Sequence, residues 1–393
     1  MKTDISNNIK FVGVNDHNID LFEGQFIVPN GMSYNSYIIL DEKIAVLDSV
    51  DKNFGSEWIS NIKSQLNGKN PDYLVVHHME MDHSANIKLF TEAFPEAKIV
   101  ASKLAFVIMN NLFDADFSDK QIVVTEGSTL SLGKHCLNFI AAPNVHWPEV
   151  VMSYESTEKI LFSADGFGKF GALDKESGTS PEEWTCEARR YYFGIVGKFG
   201  EPVQAVLKKL PNIQIEKICP LHGPVLTENL SYYINLYDIW SSYKPESQGI
   251  FIAYSSVYGN TKKAVEEFAE ILKAKGCTKV KIADLAREDM AECVEDAFRY
   301  DKLVLATTTY TNDIFPVMKE FIHHLVDRNY QNRTIGLIGN GSWNPVATKV
   351  MASMFEKSKN INLVEPSVTI KTALNHESRA NLEKLAEELM KSY

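Results

Sequence analysis

Four side chains able to bind a metal fall within six residues of one run, His78-Met79-Glu80-Met81-Asp82-His83. An ordinary turn has no reason to collect two imidazoles and two carboxylates. The apolar run Tyr73-Leu74-Val75-Val76-His77 precedes them and predicts a buried strand that releases a polar turn. Side chains alternate along an extended chain, so His78, Glu80 and Asp82 are expected to converge on one side. His83 is expected to open a helix and point back from its first turn. Three more candidates each follow an apolar run: His146 after LNFIAAP, Asp165 after KILFSA and His222 after IEKICPL. α/β folds gather their sites at the carboxyl ends of strands. Seven nitrogen and oxygen donors without a thiolate suit two ions of iron, zinc or manganese, with one carboxylate free to bridge. Paired ions of this kind sit about 3.5–4 Å apart. His77 should face the opposite way along its strand, and His17, His135, His323, His324 and His376 read as surface or capping residues.

A second constellation lies in the other half of the chain. Ser255, Ser256, Val257, Tyr258, Gly259, Asn260 and Thr261 follow an apolar run and open an amphipathic one. Hydroxyls, an amide and successive backbone N–H groups at a helix start make an anion cradle. The lysine of a nucleoside-triphosphate loop is missing, and so is the G-x-G-x-x-G of a dinucleotide fold. A small monophosphate held by neutral donors fits better. Thr308, Thr309, Tyr310, Thr311 and Asn312 follow a third strand, and Gly339, Asn340, Gly341, Ser342 and Trp343 follow a fourth. Trp343 and Tyr310 offer flat apolar faces to an aromatic ring. Gly339 and Gly341 are expected to let backbone N–H groups approach its polar edge.

The elements that must position these groups divide near residue 245. The polar, proline-containing run 241–248 reads as a linker between a domain over 1–245 and another over 249–393. The first mixes short β-rich runs with helices. In the second, strands at 249–256, 279–285, 302–307, 334–339 and 361–365 alternate with helices near 261–275, 290–298, 315–325, 346–356 and the C-terminus. The class is α/β, and the second domain is expected to be a doubly wound parallel sheet of five strands. The chain has 393 residues, with 40 basic against 51 acidic ones and a net charge of −11. That balance argues against nucleic acid and against an anionic membrane surface. No apolar run reaches the roughly 18–20 residues of a membrane span, and the first ten residues lack the apolar core of a secretion signal. Five scattered cysteines without a C-x-x-C pair point to a reducing cytoplasm.

The metal run resembles the metallo-β-lactamase superfamily, an αββα sandwich whose usual motif is H-x-H-x-D-H. Glu80 stands where the hydrolases carry a second histidine, and this exchange is similar to the flavodiiron proteins (A-type flavoproteins). The added anionic ligand makes the site harder and favours iron that cycles between two oxidation states. The loop at 254–261 resembles the flavodoxin loop that holds the phosphate of flavin mononucleotide (FMN). The resemblance covers nearly the whole chain. It implies that His78, Glu80 and His146 hold one iron, that Asp82, His83 and His222 hold the other, and that Asp165 bridges them. The stretch from Ala188 to Phe193 also looks like the family, and Tyr192 is implied as a hydrogen-bond donor beside the irons. The run Leu21-Phe22-Glu23-Gly24 departs by placing a glutamate where several relatives place a histidine.

What the resemblance implies is a cytoplasmic oxidoreductase that reduces dioxygen to water, nitric oxide to nitrous oxide, or both. Electrons would pass through FMN from an external donor, a rubredoxin-like protein or a reduced deazaflavin. No fused rubredoxin is expected, because clustered cysteines are missing. A head-to-tail homodimer, or a dimer of dimers, would bring the flavin of one subunit to the irons of the other. Two other readings stand beside this one. A hydrolase of the lactamase superfamily would carry a metal pair without need of a flavin, and a passive electron carrier would use only the flavodoxin half.

Overall fold

The computed structural model describes residues 5–174 and 181–391. It separates into two compact units, Met1–Asp238 and Ile239–Tyr393. The division falls inside the helix Leu230–Ser241, upstream of the polar run expected as a linker. The helix ends at Ser241 and the strand Ser247–Tyr254 begins within that run, which leaves only residues 242–246 outside both elements. Trp240 explains part of the order there: it is buried, and its indole N–H donates to Glu246 at 2.8 Å.

The first unit is built on two sheets. One runs in the order Ile9–Phe11, Tyr37–Ile39, Ala45–Leu47, Tyr73–Val75, Lys98–Ser102, Gln121–Val124, and is parallel from its third strand onward. The other runs Thr129–Ser131, Cys136–Ala141, Val151–Glu155, Ile160–Phe162, Lys217–Cys219, and is parallel only at its last pair. Interior parallel strands are covered on both faces, so they read as unbroken apolar runs. Ala45, Val46 and Leu47 are accordingly all fully buried. A single core unites Ile39, Leu47 and Val100 of one sheet with Phe139, Val151 and Phe162 of the other. Helices such as Gly55–Gln65 and Lys103–Phe113 complete the αββα sandwich.

The second unit is a doubly wound parallel sheet in the order Val280–Asp284, Ser247–Tyr254, Tyr300–Tyr310, Arg333–Asn340, then Ile361–Leu363 and Val368–Ile370. Five strands were expected and seven are present. The fifth position is filled by two short segments, and Pro366 between them has no N–H for the ladder. Asp313–Ile314 also folds back antiparallel onto Thr309 and Tyr310. The chain crosses over between Ser247–Tyr254 and Tyr300–Tyr310, so their carboxyl ends open the crevice where such sheets bind ligands.

Candidate metal centre and cofactor cleft

The strand Tyr73–Val75 delivers His78 and Glu80 into an extended turn, and the chain then enters a single helical turn, Met81–Ser84. That turn changes one expectation. His78 and Glu80 converge, but Asp82 is rotated away from them and joins His83. Two donor groups result: His78, Glu80, His146 and Asp165 in one, Asp82, His83 and His222 in the other. In the first, His146 Nε2 lies 3.0 Å from Glu80 Oε2 and 3.3 Å from His78 Nε2. In the second, His83 Nε2 lies 3.0 Å from His222 Nε2, which lies 3.2 Å from Asp82 Oδ2. Asp165 divides its oxygens between them. Its Oδ2 is 3.2 Å from His146 and 3.3 Å from His78, and its Oδ1 is 3.4 Å from His83 and 3.6 Å from His222.

Two imidazoles are locked with Nε2 inward. His222 Nδ1 donates to the Ser33 carbonyl at 2.7 Å, and His78 Nδ1 donates to Glu149 Oε1 at 2.8 Å. The other ring nitrogen then carries the lone pair that a metal needs. Asp82 Oδ1 and Asp165 Oδ1 are buried without a hydrogen-bond partner. Buried carboxylate oxygens left this way are costly unless a cation meets them. Nitrogen lone pairs aimed at one another need the same remedy. The donor set therefore fits a pair of hard to borderline cations such as iron.

Aromatic rings wall the second group. Phe22, Tyr34 and Tyr191 stand 5.4, 5.9 and 5.6 Å from the His222 ring, centre to centre. Trp147 meets His78 edge-on at 5.3 Å. Tyr191, the neighbour of the expected Tyr192, is the tyrosine of this stretch whose ring stands at His222. Burial and the Asp165 and Asp82 charges push the Tyr191 hydroxyl far above its ordinary pKa. Tyr192 packs edge-on against Phe193 and Tyr237, each at 5.1 Å. The helix Pro181–Tyr191 runs on into a π-helical turn, Tyr192–Val196, which resets the direction of the side chains at this point.

Burial opposes charge on His146, but the hydrogen bonds it donates to Asp165 and Glu80 push its pKa up to about 9. His78 and His83 are raised by their carboxylate neighbours in the same way, against the same burial. Burial also opposes ionisation of Asp165, yet His146 and His83 hold its carboxyl well below the usual range. A raised histidine stabilises the fold fully below its unfolded pKa, and loses that contribution as pH rises through the folded value. The depressed carboxylate keeps its contribution until the pH falls into strong acid. Metal-stripped protein is therefore expected to lose thermal stability between about pH 7 and pH 10. Loaded protein should lack that slope, because metal-bound imidazoles are already neutral. Differential scanning calorimetry of both forms checks this, and equal slopes would contradict it.

Glu23 tips the hairpin formed by Leu21–Phe22 and Phe26–Ile27, at φ 50°. Burial and the nearby Glu80 charge raise its pKa to about 7. Its side chain is nevertheless exposed, so solvent screening weakens that shift, and two cations in the pocket would reverse its sign. His77 does face away from the centre, but it is buried between Asp48 and Ser153. His135 departs from the surface role expected of it: it is buried, 2.8 Å from Asp41 and 3.2 Å from Glu158.

In the second unit the three loops meet around a cleft of about 540 Å³, a size that suits a small cofactor. Ser256, Val257, Tyr258, Asn260, Thr261, Thr308, Thr309, Tyr310, Thr311, Asn312, Asn340, Gly341, Ser342 and Trp343 all line it, joined by Asn344 and Thr372. The Ser256 hydroxyl oxygen accepts from the N–H groups of Gly259 at 3.1 Å and Lys262 at 3.2 Å. Donors at the start of the helix Asn260–Ala274 thus already converge on one oxygen, as a phosphate would require. Thr308 Oγ1 is buried without a partner beside the cleft. Trp343 and Tyr258 are 91% and 94% exposed, and Tyr310 is 47% exposed.

Three expected residues do not line the cleft: Ser255, Gly259 and Gly339. Ser255 lies buried, its hydroxyl bonded to Thr307 at 2.7 Å. Gly259 turns the chain into the helix at φ 88°. Gly339 is paired within the sheet to Thr307 and Thr369, and a Cβ there would meet Thr348 Cγ2 at 2.9 Å. The Gly341 N–H is already given to Ile370 O at 3.0 Å. Close helix packing, rather than donation to a ring, accounts for Gly339. Thr309 also has a structural partner: its hydroxyl caps the helix Ala347–Met354 by accepting from Val346 and Ala347 at 3.0 and 3.2 Å.

Comparison with known proteins agrees with both halves. Residues 32–223 match the family described as ODP family beta lactamase, and residues 251–378 match a flavodoxin domain. The chain is 29% identical to a nitric oxide reductase of Moorella thermoacetica over 93% of this chain and 92% of that one. It is 28% identical to a rubredoxin-oxygen oxidoreductase of Megalodesulfovibrio gigas, over 99% and 98%. Among solved structures, rubredoxin oxygen:oxidoreductase from Desulfovibrio gigas superposes with a TM-score of 0.93 at 26% identity, covering 100% of this chain and 98% of that one. The flavodiiron protein of Giardia intestinalis has the same fold, with a TM-score of 0.91 at 23% identity over 100% and 97%.

Proposed function

The chain belongs to the flavodiiron proteins, and from that membership we propose that it reduces dioxygen to water, nitric oxide to nitrous oxide, or both, at a non-haem iron pair supplied with electrons through FMN. The observation that carries the assignment to this site is Asp165, whose two oxygens face two separate groups of imidazole and carboxylate donors. His78, Glu80 and His146 would hold one ion, Asp82, His83 and His222 the other, with Asp165 between them. When bound, the ferrous pair and the reduced flavin supply the electrons that these reductions consume.

The protein's own contribution is orientation and charge. Ser33 and Glu149 hold two imidazoles in the metal-binding tautomer. The three carboxylates offset the charge of two cations in a pocket floored by fully buried groups. Phe22, Tyr34 and Tyr191 keep water from the His222 side. In the second unit, the Ser256 loop would hold the flavin phosphate, and Trp343 and Tyr310 would flank its ring.

The chain carries no G-x-G-x-x-G fingerprint, so its reductant is taken to be an external carrier, a rubredoxin-like protein or a reduced deazaflavin, rather than a nicotinamide. Assembly as a head-to-tail homodimer or a dimer of dimers belongs to the same reading. The exposed aromatic rings of Trp343 and Tyr258 are the apolar surface such a contact would cover. No helix among the described residues is long and apolar enough to cross a membrane. A cytoplasmic location is supported by its five scattered cysteines, which form no C-x-x-C pair.

Full-length protein prepared without oxygen should contain about two irons and one flavin per chain, as the donor count requires. Stopped-flow mixing of the fully reduced form with each gas should show both cofactors reoxidised together. Zinc without flavin would replace this reading with a hydrolase.

A further inference from the structure

Glu149 lies three residues beyond His146, in a turn with no ligand of its own. It is 2% exposed, and its Oε1 accepts from both His78 Nδ1 at 2.8 Å and the Met79 N–H at 2.9 Å. Its backbone carbonyl accepts from Ser102 Oγ at 2.8 Å, and Ser102 caps the helix Lys103–Phe113. The carboxylate is thus anchored to a rigid element, and His78 is its sole ion-pair partner among the described residues. Two other buried imidazoles of the donor groups are backed differently. His222 Nδ1 faces a neutral carbonyl, and His83 Nδ1 has no hydrogen-bond partner. Among His78, His83 and His222, the fully buried histidines of the two donor groups, His78 is therefore the one whose outer nitrogen meets a negative charge. A carboxylate in that position orients the ring and makes its inner nitrogen a stronger donor.

We propose that Glu149 is a positioning residue that makes the two metals unequal: acting through His78, it makes the ion held by His78, Glu80 and His146 the more tightly held and the more readily oxidised of the pair. This inference rests on the iron-pair reading above. A stronger donor and an extra negative charge both favour the higher oxidation state of the ion they face. Each side otherwise has one terminal carboxylate, Glu80 or Asp82, and one oxygen of Asp165, so the Glu149 charge behind His78 is what sets the two apart.

The test is Glu149→Gln in the full chain, because glutamine keeps the shape and the accepting oxygen but removes the charge. Anaerobic Fe(II) loading followed by competition with a chromophoric chelator should show one iron of the two released about 10- to 100-fold more readily, the other unchanged. A reductive titration followed by electron paramagnetic resonance should show a smaller half-reduced signal, because the two ions become more alike. Glu149→Asp should recover part of both effects. Flavin content should stay at the wild-type level in each variant and reports an intact fold. A glutamine variant identical to wild type in both measurements would overturn the proposal, and so would equal weakening of both irons. Wild-type protein that takes up no iron pair would instead remove the reading beneath it.

Discussion

Asp165→Asn is expected to empty the metal centre and leave the flavin untouched. The wild-type carboxylate lies within 3.2–3.6 Å of four imidazoles from both donor groups. Asparagine fills the same space, so the loop beyond Ile160–Phe162 should still fold. It presents one neutral oxygen and an N–H pair where two anionic oxygens stood, and one half of the pair loses its shared ligand outright. Removing one partner from a buried charged network costs on the order of 3–5 kcal/mol, so gas reduction should fall by roughly 10²- to 10³-fold or more. Iron per chain should drop below the wild-type value, while the yellow absorption of the flavin unit stays. The variant also has a signature without metal. With the anion gone, less holds the imidazoles in their charged form, and the loss of stability between neutral and alkaline pH should shrink. Iron analysis, the visible spectrum and a gas electrode read these effects, and retained turnover would rule out a bridging role.

Why this residue could be singled out from sequence, and others could not, follows from distance along the chain. The run from His78 to His83 is local, and its donors stand out because no turn needs them. Asp165 and His222 were legible because each follows an apolar run at a strand end. The allocation of Asp82 was not legible from alternation alone, because the chain turns helical at Met81 and alternation stops there. Glu149 and Ser33 reach their histidines across 71 and 189 residues, and no spacing rule links such pairs. Tyr191 and Tyr192 are adjacent and chemically identical, so only the helical geometry at the end of Pro181–Tyr191 separates the ring at the centre from the ring in the core. The alternation of the second unit was plain in outline, since each strand and helix is long enough to show its period. The split at Pro366 and the short return at Asp313–Ile314 involve segments of two or three residues, too short to carry a pattern. Gly339 shows the same limit at one residue. A glycine in a loop-like run suggests backbone donation, and its packing against Thr348 becomes visible only when the helix Ala347–Met354 is in place.

Ser256→Asp should produce the opposite defect. The Ser256 oxygen already gathers the N–H groups of Gly259 and Lys262. An aspartate can satisfy the same donors and still cap the helix Asn260–Ala274, so the unit should remain folded. It would also place a negative charge against the phosphate of the flavin. Two unit charges about 4 Å apart cost about 4 kcal/mol at an effective dielectric near 20, or roughly a 10³-fold loss of affinity. The purified variant should be nearly colourless in the flavin bands yet retain its irons, and donor-driven gas reduction should collapse. The two inactive variants then test the proposed assembly together. If the flavin of one subunit serves the irons of the other, an equal mixture dissociated and reassembled forms dimers in which the flavin of the Asp165 variant faces the irons of the Ser256 variant. Random assortment would restore roughly a quarter of the wild-type rate. If each chain works alone, no dimer contains an intact pair and the mixture stays inactive. Recovery without reassembly would point instead to electrons exchanged between separate molecules, and dilution distinguishes that case, because the rate per molecule would then fall with concentration.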